Sequence, residues 1–309
     1  VTGVQTCALP IFFNYFILLL FKDITMKKTL IAAALATVVA APAAIADVSV
    51  SGKVKVTVVD VDGGSDWAPS FDNSITFKAS EDLGNGMSAF AQITVDTDEG
   101  GSAATAGGSK DQKLGLKGSF GTVVLGRMET LSQGVMGQSM DDGAGTGGIE
   151  TSNTDAGRVN AIAYISPTVN GIHVAAAGTM DATDDMIEHT DILVAYDNGP
   201  LSVKAAYLDV ENALETISIG ATYKMGDAKL SFLTADNDVT DMRDNMYRVD
   251  YTMGNNVILL GHLDADAANS DVTSLKLSHK MSKRTAVWIG ARDKDSGADV
   301  THFGMIHKF

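Results

Sequence analysis

The side chains able to do chemistry in this sequence do not stand at the spacings that most chemistry needs. Its six histidines are scattered, with no H-x-x-x-H or H-E-x-x-H pair to hold zinc. Asp60-Val61-Asp62-Gly63 and Asp181–Asp185 offer the oxygen ligands that Ca²⁺ prefers, but neither has the spacing of a full EF-hand loop. Solvated acidic loops are the simpler reading, with Ca²⁺ binding as the alternative. Gly143–Gly148 lacks the Gly-Lys-Ser/Thr that completes a phosphate-binding loop. No Gly-x-Ser-x-Gly nucleophile elbow occurs. No catalytic residue, metal centre or cofactor is therefore expected. What remains is charge, and one segment concentrates it. Glu129–Ala156 is rich in Gly, Ser and Thr, carries Glu129, Asp141, Asp142 and Glu150 among its acids, and has almost no strand character. A structureless connection of that length is functional or disordered.

The elements that position these charges begin well after residue 1. Met26-Lys27-Lys28, the small and apolar run Thr29 to Val39, and Ala43-Ala44-Ile45-Ala46 before Asp47 follow the three-part plan of a secretory signal peptide. Residues 26–46 are read as that signal. Residues 1–25 are read as a false upstream extension of the reading frame, with a long bipartite targeting segment as the rival. The apolar stretch Ile11 to Phe21 is too short for a helix that crosses a bilayer, which needs about 20 residues. Residues 47–309 hold 20 Lys and Arg against 37 Asp and Glu, a net charge of −17. Such a chain does not attract nucleic acid. The one cysteine, Cys7, precedes this region, so disulfides cannot stabilise it. A closed, fully hydrogen-bonded barrel is one alternative source of stability.

After Asp47 the hydrophobic period is two, the period of a strand. Val48, Val50, Val54, Val56 and Val58 alternate with Ser49, Ser51, Lys53, Lys55 and Thr57. Ile217, Ile219, Ala221 and Tyr223 alternate with Ser218, Gly220, Thr222 and Lys224, and Leu275 and Leu277 with Ser274, Lys276 and Ser278. Breaking the chain at turn signals predicts sixteen strands: 48–60, 72–82, 87–97, 110–118, 122–128, 157–166, 171–181, 188–197, 201–210, 214–225, 228–237, 242–253, 256–265, 271–281, 284–294 and 299–309. Their connections alternate in length. Short ones such as Leu83-Gly84-Asn85-Gly86, Asn198-Gly199-Pro200, Gly226-Asp227 and Gly254-Asn255 suit tight hairpins. Between them lie longer acidic ones such as Val61–Phe71, Asp98–Ser109 and Asp181–Ile187. Tyr164, Tyr196, Tyr223 and Tyr251 each stand two or three residues before a short turn, the register of an aromatic girdle at a lipid–water boundary. The expected fold is all-β: a 16-stranded antiparallel transmembrane β-barrel spanning 47–309.

Three stretches and the last residue carry a family resemblance. They are Ser74 to Gly86, Leu114 to Arg127, Arg158 to Pro167 with Asn160, Ile162, Tyr164 and Ser166-Pro167, and the terminal Phe309. Together they resemble the trimeric general porins of Gram-negative bacteria, over essentially all of 47–309. The resemblance implies a homotrimer in outer-membrane lipid, with one pore per barrel. It implies an inward-folded third loop, the position held by Glu129–Ala156. Acids on that loop would face bases on the wall. The candidate constriction is then Glu129, Asp141, Asp142 and Glu150 against Lys53, Lys78, Lys117, Arg127 and Arg158. Simple alternation puts Arg127 on the face of Val123 and Leu125, and Arg158 on that of Tyr164, so a bulge would be needed to re-aim either. Phe309 matches the C-terminal aromatic that these porins present to the barrel-assembly machinery. The implied work is passive diffusion of ions and small hydrophilic solutes. A barrel serving mainly as surface anchor or adhesin is the alternative, and a barrel enzyme or a soluble exported β-protein is less well supported. Net charge leans towards cations, while facing bases would reverse that.

Overall fold

A computed structural model describes residues 47–64, 67–97, 109–136, 157–180, 189–210, 214–266, 271–295 and 297–309. Nearly all of these lie in strands: β1 (Asp47–Val61), β2 (Ala68–Phe71), β3 (Ser74–Gly84), β4 (Met87–Asp96), β5 (Ser109–Gly118), β6 (Gly121–Glu129), β7 (Arg158–Ile165), β8 (Ile172–Thr179), β9 (His189–Asn198), β10 (Leu201–Val210), β11 (Leu214–Met225), β12 (Ala228–Asn237), β13 (Met242–Met253), β14 (Asn256–Ala265), β15 (Val272–Lys280), β16 (Thr285–Lys294) and β17 (Val300–Lys308). One short helix, α1 (Gln133–Met136), follows β6.

Each strand from β3 onward pairs antiparallel with the next, and β17 pairs with β1 at Val300–Lys308 against Lys53–Val61. The sheet therefore closes on itself. Closure removes the exposed edge and satisfies the backbone within the wall, as a membrane span requires.

Seventeen strands occupy sixteen barrel positions. Strands β2 and β3 both pair with β1, Phe71 opposite Val56 and Ser74 opposite Lys53, in one continuous register. Between them Asp72 N–H donates to the Lys55 carbonyl at 3.1 Å. The Lys55 N–H donates to the Asn73 side-chain oxygen at 3.0 Å. An amide side chain thus replaces one ladder acceptor at the break. The second barrel position accordingly starts at Ala68, not at residue 72, and the first long connection shrinks to 62–67.

The barrel seam needs a glycine. Gly52 and Phe309 exchange both backbone hydrogen bonds, each 3.0 Å. The Phe309 ring packs against Gly52, where a Cβ would stand 2.6 Å from the ring and 2.5 Å from the Ser74 carbonyl oxygen.

The outward rows are apolar and bare: Val50, Leu114, Ile219, Leu275, Ile289 and Phe303 are all exposed. In water so extensive an apolar surface would drive aggregation, whereas in lipid it is the expected outer band. The turn end of this band repeats every 28 residues. Tyr223, Tyr251, His279 and His307 share one register position, and Met225, Met253, Met281 and Phe309 follow two residues later. All are exposed. Tyr164 is also exposed, and Tyr196 half-buried, near the same end.

The inward rows are mixed. Val135 of α1 is fully buried against Ala175, Leu193, Ala206, Leu233, Met246, Leu263 and Val272. These come from β8, β9, β10, β12, β13, β14 and β15. Only the inside of the barrel brings side chains from strands so far apart together.

Candidate functional site

Strand alternation fixes which charges reach the lumen. Outward Val50 and Val54 leave Ser49, Ser51, Lys53 and Lys55 of β1 pointing inward, and outward Phe77 leaves Thr76 and Lys78 of β3 inward. On β5, outward Leu114 and Leu116 leave Asp111, Lys113 and Lys117 inward. On β15 and β16 the inward row includes Ser274, Lys276, Trp288 and Arg292. Ser49, Lys78, Gln92 and Lys113 lie side by side across β1, β3, β4 and β5. The lumen wall from β15 through β17 and β1 to β5 is thus predominantly basic.

Ion pairs hold the loop end of this wall. Lys53 pairs with Asp72. Lys110 reaches Asp96 at 3.0 Å and Asp72 at 3.6 Å. Alternation alone would turn Lys110 outward with Gln112. A β-bulge, at which Asp111 faces Thr94 but Ser109 faces Val95, turns it to the lumen acids. Next to this chain, Asp111 accepts from Gln92 Nε2 at 2.9 Å and lies 3.5 Å from Lys113 Nζ. Arg158 Nε reaches Asp111 at 3.3 Å, and the same guanidinium pairs with Glu129. Closer to the turns, Arg248 and Asp250 form a two-bond pair on the inner row of β13, at 2.8 and 2.7 Å. Lys55 Nζ stands 5.8 Å from the centre of the Trp288 ring, near enough for a cation–π contact. That ring packs against Gly304, where a Cβ would stand 2.3 Å from it.

The opposite wall anchors the start of the long connection. Asp191, buried on the inner row of β9, accepts from the N–H of Leu131 and from that of Ser132, the latter at 3.3 Å. Lys204 of β10 donates to the Gly134 carbonyl at 2.8 Å. These two charges and the burial of Val135 hold residues 131–136 against the inner wall.

The sequence-predicted candidates divide. Lys53, Lys78 and Lys117 lie on the inner rows. Glu129 ends β6 as a strand residue and pairs with Arg158, its direct cross-strand neighbour, so it does not face a distant wall. Arg127 stands in the outward row of β6, exposed. The β5–β6–β7 register runs unbroken past it, so no bulge turns it to the lumen. Asp141, Asp142 and Glu150 lie outside the described residues, as does Asp181–Asp185. Asp60, Asp62 and Asp299 line a cleft of about 380 Å³ at the rim. Among the described residues no group of three His, Cys, Asp or Glu is placed to hold a metal ion. The sequence reading missed Lys110, Asp111, Lys113, Asp191, Lys204 and Arg292. For Lys113 and Arg292 the signal was available in their alternation with Leu114 and Ala291; for Lys110 it was not, because a bulge decides it.

A closed barrel with an apolar exterior, a charged interior and short turns at one end is the architecture of a membrane channel. A family model for the Gram-negative porins matches residues 32–299. The chain belongs to that family: it is an outer-membrane porin, a water-filled channel for passive diffusion of ions and small hydrophilic solutes. Outer membrane porin protein 32 of Delftia acidovorans is 26% identical over 308 residues, covering 85% of this chain and 88% of that protein. The major outer membrane protein P.IB of Neisseria gonorrhoeae is 38% identical over 121 residues, 34% of this chain and 33% of that one. Among solved structures, the anion-selective porin from Comamonas acidovorans superposes with a TM-score of 0.66 at 23% identity, over 86% of this chain and 100% of that one. Salmonella typhi OmpF gives 0.70 at 17% identity, over 85% and 97%.

Proposed function

We propose that the protein is a non-enzymatic, anion-preferring general porin that works as a homotrimer, one pore per barrel. The observation that carries the preference is the division of the lumen. The wall from β8 to β15 is apolar where α1 packs on it, so the aqueous path follows the basic wall of Lys78, Lys117 and Lys276, in which Lys53 and Lys113 are held by Asp72 and Asp111 and Lys55 and Arg292 are buried. Local charge along the path outweighs net charge far from it, because salt screens the latter over about 8 Å at physiological ionic strength. The structurally similar porin from Comamonas acidovorans is anion-selective, which agrees with this reading. On this reading Asp141, Asp142 and Glu150, which lie outside the described residues, are the loop charges of the constriction. Phe309 serves as the signal to the barrel-assembly machinery. The mature chain starts at Asp47, the first residue of β1, after removal of the signal peptide 26–46, and N-terminal sequencing of protein from outer membranes checks this.

Planar-bilayer recording under a KCl gradient tests the reading. The reversal potential should have the sign of a chloride-preferring pore, and closures should come in thirds. In Lys78→Glu/Lys117→Glu each reversed charge some 8 Å from a passing ion shifts its energy by about 1 kcal/mol in water, about fivefold in permeability. The variant should therefore move strongly towards cations. A cation-type potential in the unaltered protein would refute the anion preference, and a silent folded barrel would refute conduction.

A further inference from the structure

The 28-residue register at the turn end of the outer surface changes chemistry partway round. On β11 and β13 the position is tyrosine, Tyr223 and Tyr251. On β15 and β17 it is histidine, His279 and His307. Both imidazoles are exposed, and each uses Nδ1 on a cross-strand neighbour: His279 with Asn256 Oδ1 at 2.8 Å and His307 with Thr285 Oγ1 at 2.9 Å. That contact ties each ring to the neighbouring strand through Nδ1.

Between these strands the β15–β16 turn presents Lys283 and Arg284, both exposed. Its backbone is held. Ser282 Oγ accepts from the N–H of Arg284 and of Thr285, at 3.1 and 3.0 Å, and the Arg284 carbonyl accepts from Lys308 N–H at 2.8 Å. Lys280 and Lys308, one residue on from the histidines, belong to the inward rows. In the three turns of this arc, 226–227, 254–255 and 281–284, the one acid is Asp227. The rim at β1 and β3 carries Asp47, Glu81 and Asp82 instead. In a chain of net charge −17 over residues 47–309, Lys283 and Arg284 thus place positive charge at one sector of one rim, beside the two outward histidines.

We infer that His279, His307, Lys283 and Arg284 form a docking surface for the phosphate of an anionic glycerophospholipid in the leaflet at the turn end. The partner follows from position and chemistry. These groups sit level with the tyrosine girdle, where headgroups lie. A phosphate diester accepts charge-assisted bonds from guanidinium, ammonium and imidazolium together. Basic residues at a membrane surface each contribute to holding anionic lipid.

The test is native mass spectrometry of the intact protein from outer membranes, exchanged into detergent with equimolar phosphatidylglycerol and phosphatidylcholine at pH 5.5. Bound phosphatidylglycerol should exceed phosphatidylcholine by about fivefold or more. In His279→Tyr/His307→Tyr/Lys283→Gln/Arg284→Gln the ratio should fall to near one. Tyrosine is what β11 and β13 already carry at this position, so the barrel should still form, as heat-modifiable migration and unchanged single-channel conductance would show. Single variants His279→Tyr and Arg284→Gln, expected to give intermediate ratios, cover a failure of the fourfold variant to fold. Lys224→Gln, on the inward row of β11, should keep the full ratio. Equal retention of the two lipids by the unaltered protein overturns the proposal, as does a preference that survives all four substitutions. Binding of these same four residues to peptidoglycan sacculi without lipid preference overturns it too.

Discussion

Replacing Gly52 by valine should leave the protein unable to close its barrel. The seam joins the ends of the wall, and Gly52 stands where β1 meets both β3 and the C-terminal residue. Any Cβ there falls 2.5 Å from the Ser74 carbonyl oxygen and 2.6 Å from the Phe309 ring, closer than atoms pack, and the oxygen belongs to backbone that is itself in a ladder. Relief requires β1 to move off β3 or Phe309 to leave the seam. Either breaks the paired backbone bonds that link residue 52 to residue 309. In lipid each backbone group left unpaired costs several kcal/mol, and an open barrel exposes a whole edge of them. Gly52→Ala should lower the yield of the compact, heat-modifiable form, and Gly52→Val should abolish it. Compact migration of the valine variant at normal yield would show that the seam tolerates what its geometry forbids.

The second large effect is expected in the current rather than the fold. Asp191→Ala removes the carboxylate that receives the N–H groups of Leu131 and Ser132. Leaving a buried donor without an acceptor costs about 1–3 kcal/mol, and two are left here. The β9 ladder does not involve the side chain, so the barrel should stand while the start of the third loop loosens. Lys204→Met, which frees the Gly134 carbonyl, adds to the effect. Single-channel records of the double variant should show higher conductance with more open-state noise, and unchanged heat-modifiable migration. A quiet channel of ordinary conductance would mean that this turn does not set the width of the path.

The fold was legible because alternation is a strong signal where one face meets lipid and the other water. Strands β10 to β14 run over the residues the pattern predicts, since no bulge interrupts them. The pattern misjudged the second barrel position, where Asp72-Asn73 read as a strand start. The structure instead carries the strand through to Ala68, because the Asn73 side chain bonds where the backbone cannot. The site was less legible. Whether a lysine faces the lumen is a matter of parity, and one inserted residue reverses parity; Lys110 turns inward that way and Arg127 does not. Asp191 and Lys204 were invisible as functional residues because their partners lie some sixty to seventy positions away.

The 28-residue register has a consequence for how such a wall can change. Two strands, one turn and one loop form a module whose ends are interchangeable in register, since each begins and finishes at the same depth. Adding or removing one module would widen or narrow the cylinder by two staves and leave the depth markers of the others undisturbed. The bore of this channel is therefore adjustable in whole hairpins, whereas a change of a single residue in length would shift every stave beyond it against the lipid.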